Sequence, residues 1–107
     1  MAVTTLAGNA AVCSVVAVTW SPSQVATVTA PAQTVTVPGA KVGDVVIVTP
    51  PGQTAGVTIG SAYVSAANTV SVQFVNPTAG GVTPAAGIHK FTIIRHEGLV
   101  GATRVTT

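Results

Sequence analysis

Residues 34–37 read Thr34-Val35-Thr36-Val37, and a period of two sends the valines to one face of a strand and the threonines to the other. The same period runs through residues 69–75, where Val70, Val72 and Phe74 alternate with Ser71, Gln73 and Val75, the cleanest half-buried strand in the chain. Residues 44–49 differ. Val45-Val46-Ile47-Val48 is continuously apolar, as expected of a central strand covered on both faces, and Pro50-Pro51-Gly52 ends it. Residues 12–20 form another β-rich run, closed by Ser21-Pro22-Ser23, and residues 25–30 a further one that stops at Pro31. Pro38-Gly39 is a strong turn signal. In residues 57–65, Gly60 marks a bulge or bend, and Asn68 makes a short hairpin turn into the next strand. Residues 76–87 are rich in Pro, Gly, Thr and Ala and too long for a hairpin loop, so they are expected to cross between sheets or carry a contact surface. Residues 88–95 close the regular region with Phe91 and Ile93 on one face, and residues 99–105 add a short strand or a loose tail.

No helical period is sustained, and 11 glycines and 7 prolines interrupt every candidate helix. About seven short strands with turn residues between them predict an all-β fold, a single-domain β-sandwich of jelly-roll-like or variant immunoglobulin-like form. Two cysteines around a tryptophan would mark a true immunoglobulin domain. Here Cys13 stands alone, with Trp20 only seven residues on. Residues 1–24 are expected to be an N-terminal arm or first strand, 25–95 the sandwich core, and 96–107 a C-terminal tail or short edge strand. The periodicity assigns Val45, Ile47, Ile59, Val70, Val72, Phe74, Phe91 and Ile93 to the core.

Composition sharpens the class. Val, Thr and Ala fill just over half of the 107 positions, 48% of residues are hydrophobic and 6% are charged, against about 25% charged in an ordinary soluble domain. Such a chain folds, and at this length it buries roughly 60–70% of its unfolded surface without needing a metal or disulfide. The net charge of +2 rests on scattered cations, which argues against nucleic-acid binding. The apolar stretch of residues 10–20 is too short and too interrupted for a membrane span, and no export signal is evident. A lone cysteine fits a reducing compartment, and Cys13 reads as a small buried hydrophobe.

Candidate chemistry is sparse. Asp44 and Glu97 are the only acidic side chains, and Asp44, following Gly43 at a strand entrance, is expected to accept backbone hydrogen bonds in a turn. His89 and His96, seven apart, fall on opposite faces of a regular strand, so they are not expected to share a metal. No nucleophile elbow, Walker sequence, dinucleotide fingerprint or calcium loop occurs, and Pro77 blocks the one Asn-x-Thr acceptor, at Asn76. Neither a catalytic residue nor a cofactor or metal is predicted. Tyr63, Phe74 and Phe91 read as core or interface aromatics, with a sugar-stacking platform as the alternative.

Scarce charge on a half-exposed β-sheet favours an oligomer, in which copies cover one another's edges. Three stretches carry a resemblance: Gly43-Asp44-Val45-Val46-Ile47-Val48-Thr49-Pro50-Pro51, then residues 64–76 with Ala67-Asn68-Thr69-Val70, and Thr83-Pro84-Ala85-Ala86-Gly87. Over residues 35–95 the chain resembles small β-rich virion proteins of tailed bacteriophages, the head decoration or cement proteins. The resemblance implies a non-enzymatic structural protein that is made in the host bacterial cytoplasm, binds the major capsid protein on the virion surface and assembles as a homotrimer. The other readings are a tail or fibre module and a carbohydrate-binding β-sandwich. Residues 1–24 lie outside the resemblance. Their β-rich stretch is either the first strand or an anchor that adds to an exposed sheet edge, with Val12, Val16, Val18 and Trp20 as its contacts to the capsid or to a neighbouring copy.

Overall fold

The structure is a computed structural model and describes residues 10–96, with side chains from 13 to 95. Six strands carry the regular structure of these residues: β1 (Ala10–Trp20), β2 (Ala32–Thr36), β3 (Val45–Thr49), β4 (Thr58–Ala66), β5 (Thr69–Val75) and β6 (Gly87–His96). They form two antiparallel three-stranded sheets, ordered β1-β6-β3 and β2-β5-β4, with no helix among the described residues. The all-β sandwich expected from the alternating pattern is the observed fold. Only β4 and β5 are joined as a hairpin within one sheet; the other connections between these strands cross from sheet to sheet, as expected for residues 76–87.

The local signals act where they were read. Asn68 turns the β4–β5 hairpin at φ 60°, a left-handed conformation that asparagine tolerates. Its side-chain Oδ1 accepts from the Gly39 N–H at 2.8 Å, and its own N–H donates to the Ala40 carbonyl at 2.8 Å. The hairpin tip is thereby fastened to the Pro38-Gly39 turn. At Gly60 the β4–β5 register shifts between Ile59 and Ser61, and a Cβ there would stand 3.0 Å from a Val75 methyl, so a side chain at the bulge would crowd Val75.

Period two then builds the core. Val35 of β2, Val64 of β4, and Val70, Val72 and Phe74 of β5 face Phe91 and Ile93 of β6, with Val16, Val18 and Trp20 of β1 and Val46 and Val48 of β3 packed around them. Three expectations change. Among the described residues β3 is an edge strand, bonded to β6 alone, and β6 is the centre of its sheet. Val45 and Ile47 therefore lie on the outer face, 51% and 52% exposed, instead of in the core. An unbroken apolar run does not say whether its second face is covered by the chain's own layer. Cys13 is likewise exposed, because β1 turns its even-numbered residues inward. Residues 25–30 form no ladder and touch the β5–β6 connection through two isolated bridges, Val25 to Val82 and Thr29 to Asn76. Between those bridges Val28 takes φ 49°, which no extended strand allows. The candidate strand at 99–105, and Glu97, lie outside the described residues.

Candidate functional site

The two sheets present different outer faces. In β2-β5-β4 the cross-strand sets Thr34–Ser71–Tyr63, Ala32–Gln73–Ser61 and Thr36–Thr69–Ala66 point away from the core, a surface made mostly of hydroxyl and amide groups. In β1-β6-β3 the corresponding rows are Cys13–Ile94–Val45, Val15–Thr92–Ile47 and Ala17–Lys90–Thr49, followed by Thr19–Ile88. Val15, Val45, Ile47 and Ile88 on this face each keep more than half of their surface in water. Rows of branched apolar side chains normally lie under a second layer, and an exposed cluster of them marks a contact surface. Lys90 carries the only charged side chain in these rows.

β1 adds a second feature. Among the described residues it is the outer strand of its sheet, and its eleven residues contain no charge, proline or glycine, the devices that usually blunt a free edge. Of the four residues expected to make contacts from this segment, Val16, Val18 and Trp20 pack against the core. Val12 pairs with Arg95 across β1 and β6, and its side chain lies outside those described. Trp20 ties the sheets together, its ring centroid 5.7 Å from that of Phe74 in the opposite sheet, 6.5 Å from Phe91 and 5.1 Å from the imidazole of His89. The outward residues of the same strand are Cys13, Val15, Ala17 and Thr19. Apolar residues at both parities of residues 12–20 hinted at a strand apolar on both faces.

The charged groups at one end of the face are structural. Asp44 accepts the Lys41 N–H at 2.9 Å, the turn role expected of it, and also receives a forked pair of bonds from Arg95, Nε to Oδ1 at 2.8 Å and a terminal nitrogen to Oδ2 at 2.7 Å. The same guanidinium donates to the Gly39 carbonyl at 3.0 Å. Bonding from Arg95 holds the Asp44 carboxyl below the usual carboxylate range against the opposing effect of burial. Nothing local in the sequence links residues 51 positions apart. Tyr63 is exposed on the polar face, whereas Phe74 and Phe91 are buried. Among the described residues no three His, Cys, Asp or Glu side chains come together as a metal-binding group. No protein-family model, curated protein or solved structure matches the chain.

Proposed function

We propose that this protein is a non-enzymatic structural module of a phage virion, a decoration or cement protein whose apolar β1-β6-β3 face seats on the head. The observation that carries the reading is the contrast between the two outer faces, one dressed in Thr, Ser and Gln and the other in Val, Ile and Cys. Burying branched side chains is worth roughly 25 cal/mol per Å² of apolar surface removed from water, so the apolar face has much to gain from a partner and the polar face little. The partner suited to it is apolar, with a carboxylate opposite Lys90. Asp44 is already engaged by Arg95 and does not serve as that carboxylate in a second copy, and the major capsid protein is the partner this reading assigns. The resemblance of residues 35–95 to head decoration proteins points the same way.

Neighbouring copies belong at the other feature, the uncharged β1 edge, where strand addition supplies backbone hydrogen bonds. A homotrimer requires two different patches to meet. β1 of one copy then contacts a second surface of the next. Mass spectrometry of purified virions from the encoding phage tests the head reading, with many copies per particle expected. Co-sedimentation of added protein with particles stripped of it should be lost in Ile47→Lys, which places a charge on the apolar face. Absence from virions, or undiminished binding by a folded Ile47→Lys variant, overturns it.

A further inference from the structure

A cleft of about 480 Å³ opens at the end of the sandwich between the β3–β4 connection, the start of β4 and the β5–β6 connection, and its lining shares no residue with the outer face. Ile59, Phe74 and Pro84 supply apolar wall, Gln53 and Thr54 supply polar lining, and no charged residue takes part. His89 also lines this cleft, although only 1% of the residue is exposed.

The tautomer of this histidine follows from its neighbours. Nδ1 lies 3.1 Å from the Gly87 carbonyl oxygen, which only accepts, so Nδ1 carries the hydrogen and donates it. In the neutral ring Nε2 is then an unprotonated acceptor. It has no hydrogen-bond partner among the described residues. Among the described residues no polar side-chain atom sealed from solvent lacks a partner, which leaves Nε2 to the small accessible remainder of His89. The Gly87 carbonyl is itself held in place: φ is +144°, a conformation suited to glycine, and an added Cβ would meet the Pro51 ring at 3.2 Å. The fold therefore holds a bare acceptor at the wall of an uncharged, half-apolar cleft whose size suits a small molecule.

We infer that this cleft binds a neutral polyhydroxylated ligand, one sugar unit of an uncharged glycan, with a hydroxyl donating to His89 Nε2 and its C–H face against Val57 and Ile59. The absence of charge in the lining disfavours anionic sugars, and the bare acceptor calls for an O–H or N–H donor. The Gln53 amide and the Thr54 hydroxyl, which make no hydrogen bond with described residues, provide for further hydroxyls. The site is independent of the head-binding reading.

Trp20, the only tryptophan, contacts His89 edge-on and reports on the cleft. Glucose, galactose, mannose and N-acetylglucosamine, each titrated into the full chain up to tens of millimolar, are the probes. At least one should change Trp20 emission saturably and shift the His89 Nε2 nitrogen resonance. Affinity should fall about tenfold in His89→Phe, which keeps a flat ring without the acceptor. Should His89→Phe fail to fold, the lining variant Gln53→Ala should weaken the same titration several-fold while head binding stays unchanged. A panel without any saturable response overturns the inference, as does a response that both variants retain. Saturation by indole or p-cresol instead of the sugars would assign the cleft to an aromatic side chain of a partner and overturn it equally.

Discussion

Asn76 shows how one side chain substitutes for a stretch of sheet. It is fully buried at the start of the β5–β6 connection. Its amide nitrogen donates to the carbonyls of Val25 at 3.0 Å and Gly80 at 2.9 Å, while its Oδ1 accepts from the backbone N–H and the hydroxyl of Thr78. All of its donor and acceptor capacity is used, and residues 25–29 are pinned to the connection without a ladder. In Asn76→Asp both carbonyls lose their donor and a carboxylate is buried against them. The expected loss is about 3 kcal/mol or more, read as a lowered urea midpoint at neutral pH. Val28 is the opposite case, a β-branched residue at φ 49° with its side chain in water, so the backbone carries strain that burial of its own side chain does not offset. Val28→Asn should raise stability by about 1 kcal/mol, and a lower melting temperature in that variant would show that the left-handed turn is not maintained in solution.

At the scale of strands, the features legible in sequence were those set by a residue and its immediate neighbours. The Val70/Val72/Phe74 face, the Asn68 turn, the Gly60 bulge and the Pro38-Gly39 turn all belong here, because positive φ, ring constraints and period two act within a few residues. What was not legible depended on which strands became neighbours. Val45-Val46-Ile47-Val48 reads the same whether β3 is central or an edge, and the apolar residues at both parities of β1 leave open which set faces inward. The outer face was hidden for that reason, as was the cleft, whose acceptor is defined by the Gly87 carbonyl, Pro51 and Phe74 together.

The Asp44–Arg95 clamp likewise joins the β2–β3 connection to the end of β6 across 51 residues, and its consequence is measurable. The folded-state pKa of Asp44 lies below its unfolded value, so the clamp contributes fully above that value and its contribution is lost as pH falls through the folded pKa. Between about pH 5 and pH 3 the wild type should lose stability more steeply than Asp44→Asn, which is less stable at neutral pH and lacks this titration. Parallel stability curves for the two proteins would show that Asp44 is not the group responsible.

For the molecule as a whole, the distribution of charge decides what it does beside other molecules. With 6% charged residues, solubility depends on where the apolar surface lies, and among the described residues Val15, Val45, Ile47 and Ile88 place a large part of it on one sheet. If the outer face meets the head and the β1 edge meets a neighbouring copy, assembly should respond to a charge on β1 and not to one on β3. Lysine is a natural blunting residue on free edges, and Ala17 is an exposed residue of β1 beside Lys90, where a second ammonium adds repulsion to desolvation. Ala17→Lys should shift a homotrimer toward monomer in mass photometry, weakening association about tenfold or more, with its β-sheet spectrum unchanged. Ile47→Lys, on the far strand of the same sheet, should leave the trimer intact. Equal loss of assembly in both variants would mean that copies meet through the outer face itself, and the division of labour between edge and face would fall.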